Sequence, residues 1–223
     1  MSSLPAPNAR VLDLAVLLSG AGRTLANLLA RIDEGKLSAR VRVVVSDRDG
    51  AGGLAIAESR GIEAVVVRPK DYNNFTEEFS RAITYKIEKH PIDLVVMAGF
   101  LSLYKIPKKF QGMVMNIHPA LVPSFAGKGF YGERVHEAAA KRGVKLSGCT
   151  VHFCNNSYDE GPIILQKAVP VAFEDTAETI AAKVFAAECE AYPEAIQLFA
   201  EGRLAIERSR VRILPPGEGY GPA

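Results

Sequence analysis

Asn116 and His118 stand two residues apart, directly ahead of Pro119, in the run MVMNIHPALVPSF. Residues two apart on an extended segment project to the same side. Val114 and Met115 lead into the step as a short strand would, and Pro119 and Pro123 end it. The result is a strand end that displays one amide donor and one proton-transfer group. Such a pair suits a carbonyl whose oxygen gains charge during reaction. Asn and His also serve turns, so the pair alone leaves both readings open.

Three further constellations could act with it. Ser19-Gly20-Ala21-Gly22-Arg23-Thr24 falls between an apolar run and a helical pattern. Glycines there let a ligand approach the backbone, and the helix N-terminus behind them offers free N–H groups and a positive dipole end. Leu25 stands where a dinucleotide fingerprint has its third glycine, and no Walker lysine follows. The turn therefore fits a phosphate monoester better than NAD or ATP, and a plain Gly-rich turn is the alternative. Asp159 lies in the loop Asn155 to Pro162. Beside His118 its carboxylate would orient the ring and favour its protonated form; otherwise it is a turn residue. Glu188 sits beside the apolar stripe of the last long helix, where a carboxylate binds an amine or a ribose hydroxyl or is simply solvated. His90, His136 and His152 rate lower, His152 as a residue held by the fold or by the wall of an active site. No His, Cys and carboxylate spacing matches a metal site.

The elements that must position these groups follow from periodicity. Leu14–Leu18, Val41–Val45, Ala64–Val67, Leu94–Ala98 and Val114–Ile117 read as strands, alternating with helical patterns at 25–32, 54–59 and 75–88. The near-continuous apolar runs are those of parallel strands covered on both faces. The class is α/β: a Rossmann-like, mostly parallel, doubly wound sheet. A helix at 133–141 follows, then a late antiparallel strand pair at Cys149–Phe153 and Ile163–Val171. A long C-terminal helix begins near Asp175, with Asp175 and Glu178 as a capping box, Pro193 kinking or splitting it and Gly202 stopping it. The expected organisation is a loose arm over 1–12, one domain over 13–209 and a tail over 210–223.

The chain has 223 residues, 48% hydrophobic and 23% charged, with a formal net charge of +2. That supplies a core and gives no basic run for nucleic acid. Cys149, Cys154 and Cys189 form no C-x-x-C pair and read as reduced thiols of a cytoplasmic protein. No stretch approaches the length of a membrane-spanning helix, so no membrane partner is expected.

Taken together, LLSGAGRTLANLL, IDLVVMAGFLSLY, MNIHPALVPSF, SGCTVHFCNNSYDEGPIILQKAVPV and AECEAYPEAIQLFAEGRL resemble the phosphoribosylglycinamide formyltransferase family, the folate-dependent transformylases of purine synthesis. The resemblance runs from about residue 14 to 208 and implies the formyltransferase fold. It implies Asn116, His118 and Asp159 as catalytic residues. It places the phosphoribosyl group on Gly22, Arg23, Thr24, Leu25, Ala26 and Glu188. It places the folate on Leu101, Ser102, Leu103, Tyr104, Asn116, Asn155, Asn156, Ser157 and Tyr158. The implied co-substrate is 10-formyltetrahydrofolate, with no metal, small-molecule partners only, and a monomer or homodimer.

Four positions depart from the commonest family pattern, two of them Asn156 and Ser157, which replace acidic residues found in some relatives. Ser102 stands where many members carry an Arg that grips the acidic tail of folate, which leaves Lys105, Lys108 or Lys109 as substitutes by charge alone. Arg23 stands where Ser or Thr is common, and would strengthen a phosphate site. The segment Gly127 to Gly132 reads as a mobile loop over the site. Among rivals, a methionyl-tRNA formyltransferase is expected to add a C-terminal domain and a basic surface, and a formyltetrahydrofolate hydrolase an N-terminal domain. Sugar-amine formyltransferases are a third rival, and a non-catalytic phosphate- or folate-binding module is a fourth.

Overall fold

The structure, a computed structural model, describes residues 9–218. The ends read above as a loose arm and a tail therefore lie partly outside the described residues. Seven strands form one sheet in the order β3-β2-β1-β4-β5-β6-β7. These are β1 (Leu12–Leu18), β2 (Ala39–Ser46), β3 (Glu63–Val66), β4 (Leu94–Met97), β5 (Val114–His118), β6 (Leu146–Phe153) and β7 (Ile163–Pro170). The first five run parallel; β5, β6 and β7 pair antiparallel. The expected class, the late strand pair and the long C-terminal helix are all present.

Alternation within β1 shows how the two layers are filled. Leu12, Leu14, Val16 and Leu18 face one side, Ala15 and Leu17 the other, and all are fully buried. The first side is covered by α1 (Arg23–Asp33), α2 (Gly52–Ser59) and α5 (Ala177–Ala200), through Leu25 and Leu28, Ala57, and Ile180 and Val184. The second is covered by α3 (Thr76–Ile87), through Phe79, Ile83 and Ile87. Strand order reverses between β1 and β4, and in open α/β sheets ligands bind outside the strand ends at such a point.

Several expectations are corrected in detail. The capping box of α5 belongs to Thr176 and Thr179, one residue beyond the expected Asp175 and Glu178. The Thr176 N–H donates to Thr179 Oγ1 at 2.9 Å, and Asp175 instead accepts the Ala172 N–H at 2.7 Å. Pro193 does not split α5, which runs unbroken from Ala177 to Ala200. Past Gly202, β8 (Leu204–Glu207) and β9 (Arg210–Ile213) form a hairpin that extends regular structure beyond residue 209.

Pro193 follows Tyr192, a fully buried residue whose hydroxyl lies 3.0 Å from the carbonyl of Met97 and 2.9 Å from that of Met115. One phenol thus joins α5 to β4 and β5 immediately below the strand ends. Tyr192→Phe keeps the shape and leaves these carbonyls without the hydroxyl. A loss of about 1–2 kcal/mol in urea unfolding is expected, with an unchanged urea slope.

Candidate active site

The antiparallel register puts Asn116 opposite His152 and His118 opposite Thr150. Asn116 and His118 therefore point to one face at the end of β5. The loop between β6 and β7 brings Asp159 back over them. Gly161 makes this return possible: a Cβ there would stand 1.7 Å from the carbonyl oxygen of Phe153. Asp159 itself adopts a left-handed backbone conformation (φ 55°), which Asp tolerates better than most residues.

Asp159 Oδ2 lies 3.4 Å from His118 Nδ1 and accepts the Gly127 N–H at 2.9 Å. Its Oδ1 lies 3.5 Å from both His152 Nε2 and Asn116 Nδ2. The expected triad is thus assembled, and two groups are added to it: His152 and the backbone of the 127–132 loop. His118 Nε2 donates to the Phe125 carbonyl at 2.8 Å, since a carbonyl can only accept.

Charge states follow from this packing. Burial pushes His118 below its ordinary 6.5, and this outweighs the opposing pull of Asp159 and of the Phe125 carbonyl. Burial thus works against the cationic ring that Asp159 favours. Burial alone would raise Asp159, but neighbouring groups, the Gly127 N–H among them, hold it below the usual carboxylate range.

A cavity of about 340 Å³ opens beside these groups. Its wall includes the expected folate residues Leu101, Ser102, Leu103, Tyr104, Asn116, Asn155, Ser157 and Tyr158, together with Phe130 and Tyr131 of the loop. The 99–104 segment is strapped across the end of β1 by two bonds. The Ser19 N–H donates to the Gly99 carbonyl at 3.0 Å, and the Leu101 N–H donates to Ser19 Oγ at 2.9 Å. Asn156 is not on this wall. Its Oδ1 accepts the Ile106 N–H at 2.9 Å, and it lines a neighbouring pocket with Lys105.

Ser102 Oγ donates to Asp47 Oδ2 at 2.7 Å. Asp47, buried at the end of β2, also accepts from Arg48 Nε at 2.9 Å. Arg48 is therefore the cation joined to Ser102, and its guanidinium is half exposed. Lys109 instead pairs with Glu88 at 2.5 Å and lies over the ring of Phe110.

On the other flank, Gly22 caps α1 in a left-handed conformation (φ 78°) with no side-chain cap. The N–H groups of Arg23, Thr24 and Leu25 thus have no intrahelical partner. Gly22 must be glycine also because a Cβ would meet Gly53 Cα of α2 at 2.5 Å. The Arg23 guanidinium stacks on the Phe185 ring of α5, 4.3 Å from its centroid. Asn27 Nδ2 donates to the Cys189 carbonyl at 3.0 Å, fixing α1 against α5.

Glu188, one turn along α5 from Phe185, has its carboxyl pushed up to about 7 by burial, against the pull of Arg23. On α4 (Glu133–Arg142), burial pushes His136 below its ordinary 6.5, with the charges of His118 and Arg23 acting in the same direction. His136 Nδ1 is the one buried side-chain polar atom among the described residues that lacks a hydrogen bond. Among the described residues no cluster of three metal-ligating side chains has the arrangement of a metal site, and no helix is long and apolar enough to cross a membrane.

With this geometry in place, comparison with known proteins identifies the family. The profile described as formyl transferase matches residues 12–196. The chain is 34% identical over 196 residues to phosphoribosylglycinamide formyltransferase of Haemophilus influenzae, covering 87% of this chain and 90% of that one. It is 40% identical over 195 residues to trifunctional purine biosynthetic protein adenosine-3 of Homo sapiens, covering 86% of this chain but only 19% of that longer protein. The crystal structure of glycinamide ribonucleotide transformylase 1 from Symbiobacterium toebii superposes with a TM-score of 0.85 at 43% identity, covering 92% and 95% of the two chains. The chain belongs to the formyl transferase family and is a formyltransferase of the phosphoribosylglycinamide formyltransferase group.

The raised carboxyl of Glu188 has a measurable consequence. An acid whose folded pKa lies above its unfolded value of 4.5 binds an extra proton in the native state between the two values. Its stabilising contribution is complete below pH 4.5 and is lost as pH rises through about 7. Glu188→Gln removes this loss, so the variant is expected to be roughly 1–3 kcal/mol more stable than wild type at pH 8. The advantage should shrink toward pH 4.5 in paired urea titrations.

Proposed function

We propose that the enzyme transfers the formyl group of 10-formyltetrahydrofolate to the amine of glycinamide ribonucleotide. The products are formylglycinamide ribonucleotide and tetrahydrofolate, in de novo purine biosynthesis. The observation that carries this reading is the convergence of Asn116, His118 and Asp159 at one end of the cavity. The turn that opens α1 is uncapped and carries Arg23, whose charge reaches His136 as that of His118 does. A flat, largely apolar cofactor with a polar reacting end suits the cavity, and a phosphate monoester suits the free N–H groups of Arg23, Thr24 and Leu25. Glu188 would accept from a ribose hydroxyl or the amine.

In this reading the amine nitrogen attacks the formyl carbon, and the carbonyl oxygen becomes an oxyanion. His118 Nε2–H turns from the Phe125 carbonyl to that oxygen, and an Asn116 N–H supplies a second donor. The attacking nitrogen, now bearing surplus protons, faces ionised Asp159. One proton leaves it through Asp159, directly or by way of a water, and one is delivered to the folate nitrogen. The C–N bond to folate then breaks, and no net proton is released. The enzyme is read as cytoplasmic, in keeping with three free cysteines.

The acidic tail of the folate is assigned to Arg48, linked through Asp47 to Ser102 of the cavity wall. Replacing a charge-assisted hydrogen bond costs about 1.5–3 kcal/mol, so Arg48→Gln should raise KM for the folate donor roughly tenfold with kcat nearly unchanged. The main test is formyl transfer measured by absorbance of the folate product. Turnover should require glycinamide ribonucleotide, and Asn116→Ala and His118→Ala should each lower kcat about a hundredfold or more. Folate release without the amine would make the enzyme a hydrolase, and wild-type turnover in either variant would remove that residue from the mechanism.

A further inference from the structure

The geometry points to His152 as the positioning residue that fixes which way the Asn116 amide faces. The inference rests on the reading of Asn116 as an oxyanion donor. An Asn side chain presents donors on one end and an acceptor on the other, and a half turn exchanges them. For a residue meant to stabilise an oxyanion, the wrong rotamer is worse than none: the carbonyl would meet a negative oxygen.

A chain of hydrogen bonds settles the rotamer. His152 Nδ1 lies 2.9 Å from the carbonyl oxygen of Phe153. A backbone carbonyl only accepts, so Nδ1 carries the proton. In the neutral ring Nε2 is then an acceptor. Asn116 Nδ2 lies 3.2 Å from it and donates. Cross-strand pairing of Asn116 with His152 makes the contact a property of the sheet rather than of a loop.

Asp159 Oδ1, at 3.5 Å from Nε2, is the competing partner. It is the poorer one. It is more distant, its carboxylate already takes the Gly127 N–H, and a proton on Nε2 would confront the Asn116 amide nitrogen with a second donor. With one N–H committed to His152, the other N–H of Asn116 points toward the Asp159 side, 3.5 Å from Oδ1, where the reacting carbon must come to meet the amine. His152 itself is 2% exposed and meets the cavity only as part of its wall.

The test combines His152→Leu, His152→Gln and Asn116→Ala in a double-mutant cycle on kcat. His152→Leu is expected to lower kcat by tenfold or more with both KM values unchanged. His152→Gln, whose amide oxygen can accept, should recover most of it. In the Asn116→Ala background His152→Leu should cost nothing further. A full-size additional loss there, or a wild-type kcat in His152→Leu, overturns this inference alone. Wild-type turnover in Asn116→Ala overturns the donor assignment and this inference with it. Nitrogen-15 NMR of the wild-type ring reads the same point without a variant. A bare Nε2 with a protonated Nδ1 supports the inference, and a protonated Nε2 overturns it.

Discussion

One buried carboxylate organises the reactive end of this molecule. Asp159 is approached by His118, His152 and Asn116 from two strands and by the Gly127 N–H from a loop. Each group alone is a polar atom withdrawn from water, which costs free energy unless partnered. The Gly127 N–H and an Asn116 N–H aim protons at the carboxylate, while the two rings pack against it. Moving Asp159 would therefore leave an amide and a loop N–H without a common partner. The same dependence explains Gly161. The return of the chain from β6 to β7 brings it against the Phe153 carbonyl, and only a residue without a side chain permits that approach.

The sheet supplies the geometry that this carboxylate exploits. Parallel strands β1, β4 and β5 deliver their C-terminal ends to one edge, and β6 then runs back antiparallel. A parallel neighbour would have left β5 flanked by a crossover helix. The antiparallel neighbour instead places His152 directly across from Asn116 and lets a short loop return Asp159 to the same edge. Tyr192 ties the long helix to the carbonyls of Met97 and Met115 just beneath. The site is thus anchored in packed strands, and its exposed walls are loops.

What the sequence disclosed follows the range of the interactions involved. Asn116 and His118 were legible because a two-residue spacing on a strand is a local fact, and the helix turn at Gly22 because its glycines are. Asp159 was nameable as a candidate, but its place beside His118 depended on sheet order. His152 was undervalued because its partner lies 36 positions away and is fixed only by antiparallel register. Arg48 carried no local mark at all, since its link to Ser102 runs through Asp47, and the lysines suggested by charge alone lie elsewhere. The β8–β9 hairpin escaped because Arg208, not Gly, takes the left-handed turn position (φ 59°), so the usual turn signal is missing. The shift of the α5 cap from Asp175 to Thr176 is of another kind: adjacent polar residues all offer caps, and packing chooses among them.

The charge state of the site bears on how it works. Asp159 is held below the usual carboxylate range and burial opposes a proton on His118, so negative charge is favoured in the site before any reaction. That looks unfavourable for an oxyanion, until both new charges are counted. Attack by an amine creates a cationic nitrogen and an anionic oxygen on the same carbon. In the proposed reaction Asp159 faces the first, and the N–H groups of His118 and Asn116 face the second. A permanently cationic imidazole would favour the oxygen but oppose the nitrogen, and it would have to be kept charged against burial. A neutral donor beside an ionised carboxylate matches a transition state that is itself dipolar, and it does so without burying an uncompensated cation.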